Sequence, residues 1–386
     1  MMRLPRFELR SPRTVAEAAE VLAGTAPGET MLLAGGTDLL PNMKRRQQVP
    51  RTLVSLRAVA GLKKMSAGKG LRLGAGLTLT EIVRDGRIRA EYPALWQAAA
   101  QVATPHLRNV ATLGGNLCLD TRCNYYDQNY EWRKAIGFCM KKDGDTCWVA
   151  TGSSRCLAVS STDSAPALIA LGARVRLVSK KGERVVALGD LYRNDGIHYI
   201  ARRPDEILVE VLLDPAEVAG RRGALRSKSG VLLKSGGELR EMGSSASASG
   251  SASASSPTRW RSAYWKLRRR GSFDFPVLSA AAAVRLDGDG VVEEARLVLG
   301  AVASQPLVCD RAAAALVGKP LTDATIAGAA ELAWQLAKPM DNTDFVYHWR
   351  KRVTREFMSY ALREVRGDDM RERRRSIARQ DLKQII

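Results

Sequence analysis

The 386-residue chain has little histidine, and it lacks the sequence motifs of several large enzyme classes. Only three histidines are present, which makes a histidine-rich zinc site improbable. There is no H-E-x-x-H motif, no G-x-S-x-G nucleophile elbow and no set of kinase motifs, so hydrolysis and phosphoryl transfer lack residues to carry them. No apolar run approaches the ~18 residues of a membrane span. The N-terminal residues lack the apolar core of a secretory signal and a twin-arginine pattern, so we expect a cytoplasmic protein.

Positive charge is concentrated in one part of the chain. The net charge is +20, and residues 221–272 carry +10 of it, with twelve Lys or Arg and two Glu. The run SSASASGSASASSP at 244–257 is too poor in apolar groups to build a core. The predicted division of the chain is a domain at 1–220, a basic Ser/Ala-rich linker at 221–257, a second domain at 258–366 and a charged tail at 367–386.

Short apolar strands alternate with helices near the N-terminus, which is typical of βαβ-like folding. We predict strands at 31–34, 52–56 and 207–213. A final amphipathic helix is predicted at 346–366. Together these elements indicate a mixture of helices and sheets in both domains.

Two glycine pairs stand out among the predicted turns. Gly35-Gly36 follows the strand at 31–34, and Gly114-Gly115 lies in a loop-like segment. Glycines at such a turn let backbone N–H groups approach a pyrophosphate with no Cβ in the way. Neither loop is G-x-G-x-x-G or a Walker A sequence, so a plain tight turn is the alternative for each loop.

Five of the six cysteines lie within 39 residues, from Cys118 to Cys156. In a reducing compartment such a cluster favours metal binding over a disulfide framework. The aromatic residues of the same segment, among them Trp132, Phe138 and Trp148, make disorder improbable.

Five motifs in the same order resemble the FAD-binding subunit of the molybdenum hydroxylases, the xanthine dehydrogenase and carbon monoxide dehydrogenase family. They are Ala34-Gly-Gly-Thr-Asp-Leu-Leu40, Thr104-Pro-His-Leu-Arg-Asn-Val-Ala-Thr-Leu-Gly-Gly-Asn116, Ser161-Thr-Asp163-x-x-Pro166, Tyr264-Trp-Lys-Leu-Arg-Arg-Arg270 and Gly300-Ala-Val-Ala-Ser-Gln-Pro306. The resemblance implies an α+β fold, with a two-lobed FAD-binding domain of the vanillyl-alcohol-oxidase (PCMH) type and a small α+β C-terminal domain.

Matching those motifs residue by residue implies an FAD site and no catalytic residue in this chain. The implied wall around the pyrophosphate is Leu32, Leu33, Ala34, Gly35, Gly36, Thr37, Asp38 and Leu39. The implied second wall is Thr104, Ala111, Thr112, Gly115 and Asn116. By the same analogy Asp163 would accept hydrogen bonds from the adenosine part of FAD, and Leu208 and Lys266 would lie near the flavin. The alternative interpretation is that Lys266 is only one more cation in a basic run.

The cysteine segment departs from the common family pattern. Asn116 and Asp163 are separated by 46 residues, where ordinary members have a short connection. The spacing Cys123-x15-Cys139-x7-Cys147-x8-Cys156 resembles the insertion in the β-subunit of 4-hydroxybenzoyl-CoA reductase, which holds a [4Fe–4S] cluster. The resemblance therefore implies an iron–sulfur insertion at 118–160 with these four cysteines as ligands and Cys118 as a core thiol. A structural zinc site stays open, because Cys118-x4-Cys123 is close to a zinc-knuckle spacing.

The expected function is that of an oxidoreductase subunit that transfers electrons through FAD and a [4Fe–4S] cluster in a 4-hydroxybenzoyl-CoA reductase-like complex. The family analogy implies reductive dehydroxylation of an aromatic acyl-CoA, a molybdenum-cofactor subunit, a [2Fe–2S] subunit, ferredoxin as the electron donor and a dimer of heterotrimers. One alternative is the flavin subunit of an oxidative molybdenum hydroxylase. The alternative from another class, a basic nucleic-acid-binding protein with structural zinc, leaves the two glycine loops unexplained, so we expect no nucleic-acid partner.

Overall fold

The computed structural model describes residues 3–218, 258–271 and 273–379. The predicted linker at 221–257 and the last residues of the predicted tail lie outside the described residues. The described chain forms three sheets with helices packed against them, which confirms the expected mixture of helices and strands. No described helix is both long and apolar enough to cross a membrane.

The first sheet is parallel and has three strands in the order β1-β3-β2. Its elements are β1 (Glu8–Arg10), α1 (Val15–Ala23), β2 (Thr30–Leu33), α2 (Leu39–Lys44) and β3 (Thr52–Ser55). The side chain of Thr14 caps α1 by accepting a hydrogen bond from the backbone N–H of Glu17 at 3.1 Å. Because β2 leads into α2 through residues 34–38, the first glycine pair lies at a strand-to-helix turn, as predicted.

The second sheet is antiparallel and has the order β4-β5-β8-β6-β7. Its strands are β4 (Met65–Gly68), β5 (Gly70–Gly74), β6 (Arg174–Ser179), β7 (Gly182–Ala187) and β8 (Ile207–Leu213). Most of its helices lie between β5 and β6 in the sequence: α3 (Leu79–Arg84), α4 (Gly86–Glu91), α5 (Pro93–Ala100), α6 (Pro105–Arg108), α7 (Leu113–Leu117), α8 (Tyr130–Ala135) and α9 (Ser164–Ala170). This long excursion carries the second glycine pair and the cysteine segment.

The third sheet is antiparallel and has the order β13-β12-β11-β10-β9. Its strands are β9 (Glu217–Val218), β10 (Thr258–Leu267), β11 (Leu278–Leu286), β12 (Val292–Gly300) and β13 (Leu307–Val308). The remaining helices are α10 (Asp310–Ala314), α11 (Asp323–Leu336), α12 (Tyr347–Arg366) and α13 (Arg371–Ala378). Thus part of the tail predicted at 367–386 is a short charged helix.

Both faces of the third sheet are covered, so this sheet joins the two domains. Alternate residues of β10 and β11 point to opposite sides, as the pleat of a strand requires. Trp265 and Ala282 belong to the core under α11 and α12, whereas Tyr264 and Ala281 pack with alanines of α5 and α9. The small alanine side chains of β11 allow helices to approach from both sides.

A buried arginine organises the C-terminal domain. The Arg350 side chain in α12 is fully buried and donates hydrogen bonds to the carbonyl oxygens of Val277, Ala301 and Met340 at 3.0, 2.7 and 2.9 Å. Burial lowers the pKa of Arg350 to about 10, which still leaves it charged at neutral pH. One guanidinium thus donates hydrogen bonds to the carbonyl oxygens of three backbone segments.

We expect Arg350→Met to lower the free energy of unfolding by about 3 kcal/mol or more, because it leaves buried carbonyl oxygens without donors. Arg352→Met is the matched control, since Arg352 is exposed on the same helix, and it should change stability by less than about 0.5 kcal/mol. Urea unfolding followed by circular dichroism measures both. Equal stability of the two variants would contradict the role given to Arg350.

Candidate functional site

The two glycine loops predicted to face a common ligand touch each other. A Cβ placed on Gly35 would overlap the carbonyl oxygen of Val110 and lie 2.9 Å from the Cα of Ala111. A Cβ on Gly115 would lie 3.8 Å from the Cβ of Ala34. The absence of a side chain at Gly35 therefore permits the backbones of the two loops to meet, and any larger residue would separate them.

The first loop offers unused backbone donors. Gly36 has φ +72°, a left-handed conformation that favours glycine. Among the described residues, no acceptor binds the backbone N–H groups of Gly35, Gly36, Thr37 or Asp38. Residues 31–40, which include the predicted Leu32, Leu33, Ala34 and Leu39, are all half-buried. Free N–H groups in a glycine turn suit the oxygens of a phosphate or pyrophosphate.

The second loop is satisfied internally and forms a fixed wall. The hydroxyl oxygens of Thr104 and Thr112 accept backbone hydrogen bonds at the starts of α6 and α7. The side-chain oxygen of Asn116 accepts hydrogen bonds from the Thr162 hydroxyl at 2.9 Å and from the backbone N–H of Ser164 at 3.0 Å. Asn116 thereby holds the segment that carries Asp163 beside this wall.

Asp163 and Lys266 form a buried ion pair at the sheet that joins the domains. The Lys266 Nζ lies 3.0 Å from one Asp163 carboxylate oxygen, and the Tyr264 hydroxyl donates to the other at 2.7 Å. Lys266 also donates to the carbonyl oxygens of Gln101 and Asp274 at 3.0 and 2.9 Å. Lys266 can therefore reach a bound group only by giving up one of three acceptors.

Burial sets the proton affinities of this pair. Loss of hydration raises the pKa of Asp163 and lowers the pKa of Lys266, and it outweighs their mutual attraction. Leu208, the other residue expected near the flavin, is buried in β8 opposite Leu177. The structure thus brings Asp163 and Lys266 together, while Leu208 belongs to the core of the second sheet.

A buried arginine that the sequence did not single out connects the first loop with the cysteine segment. Arg122 forms ion pairs with Asp38 and Asp127 and donates to the Asn42 side chain at 3.1 Å. Its guanidinium also lies 4.7 Å from the centre of the Phe275 ring. Arg122 directly precedes Cys123, and this adjacency was the one available signal in the sequence.

The four cysteines with the predicted spacing line one cavity. Cys123, Cys139, Cys147 and Cys156 are all buried, and Tyr126, Lys141 and Trp148 line the same cavity. Cys118 and Cys309 are not among the residues that line it, because they pack against the cores of the second and third sheets. The structure therefore separates the predicted set of four from the remaining two cysteines.

The cavity contains no preformed metal site among the described residues. Within the described ranges, no three His, Cys, Asp or Glu side chains form a group that could hold a metal ion as they stand. Burial raises the pKa of Cys123 to about 12 and that of Cys156 to about 11, while the nearby Lys141 charge favours the Cys156 thiolate. Metal binding at such a site would be coupled to the release of protons from these thiols.

Lys141 lines this cavity and Gly196 packs against the Cys156 sulfur, and sequence reasoning missed both. The Lys141 Nζ lies 2.7 Å from Asp120 and 2.6 Å from both the Thr121 hydroxyl and the Gly196 carbonyl oxygen. A Cβ on Gly196 would lie only 2.6 Å from the Cys156 sulfur. Gly196 is 40 residues from Cys156 along the chain, so no local pattern could indicate their contact.

Comparison with protein families agrees with this arrangement of loops and domains. Residues 5–215 match the FAD binding domain in molybdopterin dehydrogenase, and residues 262–365 match the CO dehydrogenase flavoprotein C-terminal domain. The chain is 30% identical over 317 residues to the aldehyde oxidoreductase FAD-binding subunit PaoB of Escherichia coli, covering 78% of this chain and 82% of that protein. It is 27% identical to the nicotinate dehydrogenase FAD-subunit of Eubacterium barkeri, covering 83% and 82%.

Solved structures show the same fold. The reconstituted CO dehydrogenase from Oligotropha carboxidovorans contains a chain that superposes with a TM-score of 0.70 at 21% identity, covering 95% of this chain and 99% of that one. Both domains and their order thus have counterparts in known proteins. The glycine loops, the two matched domains and the similarity to PaoB show that this chain belongs to the family of FAD-binding subunits of molybdenum hydroxylases.

Proposed function

We propose that this chain carries both FAD and a [4Fe–4S] cluster and transfers electrons in a complex resembling 4-hydroxybenzoyl-CoA reductase. The observation that carries the proposal is the cavity lined by Cys123, Cys139, Cys147 and Cys156. Arg122 joins the segment containing these cysteines to the loop that offers free N–H groups. With a cluster and a flavin in one subunit, electrons would pass from one cofactor to the other within this chain.

The two glycine loops fit FAD. The backbone N–H groups of Gly35, Gly36, Thr37 and Asp38 would bind the pyrophosphate, and residues 104–116 would form the opposite wall. When bound, FAD supplies the exchange of one or two electrons. Lys266 would stabilise negative charge on the ligand once it gives up an acceptor, and Asp163 would accept hydrogen bonds from the adenosine part.

We favour a cubane cluster over a single zinc ion for the four thiols, because of their spacing in the sequence. Zinc draws four sulfurs to ~2.3 Å from one point, whereas a cubane spaces its ligands around a larger body. The four cysteines line one cavity, and the resemblance of their spacing along the sequence to an iron–sulfur insertion is what favours the cubane. The wrapping by Tyr126, Trp148 and other apolar groups would limit access of water to the cluster.

The relatives support an assembly with other redox subunits. They are named as the FAD subunits of an aldehyde oxidoreductase and a nicotinate dehydrogenase and as the medium chain of a carbon monoxide dehydrogenase. We extend this to a molybdenum-cofactor subunit and a [2Fe–2S] subunit, arranged as a dimer of heterotrimers in the cytoplasm. Electrons from ferredoxin would enter this chain and leave through the [2Fe–2S] subunit for reductive dehydroxylation of an aromatic acyl-CoA, a step in the degradation of aromatic compounds.

An oxidative role is the second candidate, because the named relatives include an aldehyde oxidoreductase and a nicotinate dehydrogenase. In that case electrons would pass from the molybdenum subunit through this chain to an external acceptor. Anaerobic mixing of the complex with reduced ferredoxin or with an aldehyde separates the two roles. Bleaching of the flavin absorbance by the aldehyde alone would favour the oxidative role.

We expect Gly35→Ala to remove most of the bound FAD, because the new Cβ would force the two glycine loops apart. Flavin released on denaturation and measured by absorbance gives the occupancy. Gly61→Ala is the matched control, since no atom lies within 4 Å of a Cβ at that position. Full flavin occupancy in Gly35→Ala would show that the loops do not form the FAD site.

We expect the anaerobically purified protein to contain about four iron atoms per chain, as one cubane requires. Cys139→Ser should abolish the iron–sulfur absorbance and spare much of the FAD, because the cavity and the glycine loops are formed by different residues. Cys309→Ser should keep its iron, since Cys309 is buried in the C-terminal core.

Metal analysis separates the competing ligand assignments. Zinc without iron in the wild-type protein would refute the cluster. A full complement of iron in Cys139→Ser would show that the ligand assignment is wrong even if a cluster is present.

A further inference from the structure

A second pocket lies between the first glycine-loop region and the cysteine segment. It has a volume of about 600 Å³, and its lining comes from two parts of the chain: Arg46, Val49, Tyr130, Phe138, Lys142 and Asp143. This volume is within the range of sites for small molecules. None of these residues belongs to the FAD loops or to the four cysteines.

The pocket combines two aromatic rings with an excess of positive charge. The ring centres of Tyr130 and Phe138 are 5.7 Å apart, with the planes inclined by 58°. Lys142 lies 3.2 Å from the only acidic residue of the lining, Asp143. Arg46 is exposed and has no acidic partner among the described residues. One carboxylate therefore faces two cations at the surface of the pocket.

A third cation lies beneath the pocket. Arg133 is fully buried, and its guanidinium carbon is 5.9 Å from the ring centres of both Tyr130 and Phe138. Its Nη2 donates to the Arg45 carbonyl oxygen, whereas Nε and Nη1 have no hydrogen-bond acceptor in the described parts of the chain. Asp143 is 3.8 Å from Nη1, too far for a hydrogen bond. Three cations, Arg46, Lys142 and Arg133, and one carboxylate, Asp143, therefore leave an excess of positive charge at the pocket, which favours an anion.

Three of the residues that line the pocket have an unusual backbone conformation. Arg46, Phe138 and Asp143 have φ of +60°, +63° and +66°, a left-handed conformation that costs energy for residues with a side chain. Three of the six lining residues share it, and two of them, Phe138 and Asp143, flank the turn in which Cys139 pairs with Lys142. The surrounding structure maintains these conformations, which place a cation, a ring and a carboxylate around one space.

We propose that this pocket binds a small molecule in which an aromatic ring carries an anionic group. The ring would pack against Tyr130 and Phe138, and the anion would be bound by Arg46 and Lys142, with the Arg133 charge beneath. Aromatic carboxylates and phosphate esters of nucleosides share this chemistry. The proposal is independent of the cluster and of the flavin.

The test is calorimetric titration of the full-length protein, saturated with FAD so that the glycine loops cannot take a nucleotide. The probes are benzoate, adenosine 5′-monophosphate, neutral benzamide and inorganic phosphate. At least one ring-bearing anion should bind saturably and about tenfold more tightly than benzamide and phosphate, as expected for a charge-assisted contact added to ring packing. Tight binding of benzoate alone identifies a carboxylate ligand, and tight binding of the nucleotide alone identifies a phosphate ester.

Variants locate the binding in this pocket. Arg46→Asn and Lys142→Gln should each lower the affinity for the ring-bearing anion about tenfold. Asparagine is chosen at residue 46 because it tolerates the left-handed backbone there. Lys134→Gln is the control, since Lys134 is an exposed cation on α8 outside the pocket. Thermal unfolding verifies that each variant is folded. The proposal fails if no ring-bearing anion binds, if benzamide binds as tightly, or if Lys134→Gln loses as much affinity as the other two.

Discussion

The buried Arg122 joins three parts of the molecule that are distant from one another in the sequence. Its guanidinium pairs with Asp38 of the first glycine loop and with Asp127 of the cysteine segment, and it lies over Phe275 of the C-terminal domain. Removal of one member of a buried ion pair is strongly destabilising, because the remaining charges lose their compensation. Arg122 therefore helps to fix the cysteine cavity relative to the glycine loops, together with contacts such as the ion pair of Arg45 with Asp127.

The elements with clear periodicity could be predicted from the sequence. The predicted strand at 207–213 is β8, and the amphipathic helix predicted at 346–366 corresponds to α12. The strand-to-helix turn at Gly35-Gly36 was also evident, since glycine at such a turn has a local physical reason. The four cysteines of the predicted set line one cavity, and their role as metal ligands stays a prediction.

Contacts between distant residues could not be predicted in the same way. The pairing of Asp163 with Lys266 joins residues 103 positions apart on different domains, and the contact of Gly196 with Cys156 depends on two separate loops. Neither the hydrogen-bond partners nor the burial of a charged side chain follows from local composition. The buried Lys266 shows this well, because its place in a basic run, Arg268 to Arg270, gave no sign that three acceptors surround it.

The pairing of β9 with β10 fixes where the basic segment between the domains begins and ends. Val218 lies opposite Thr258 in this pair, so the two ends of the intervening 39 residues are neighbours in the sheet. The two residues that flank that segment are therefore adjacent in one sheet, and no distance separates the strands that it connects. The entropic cost in free energy of closing a flexible loop rises by only ~0.6 kcal/mol for each doubling of its length. Its length and charge can thus vary with little effect on the fold at its base.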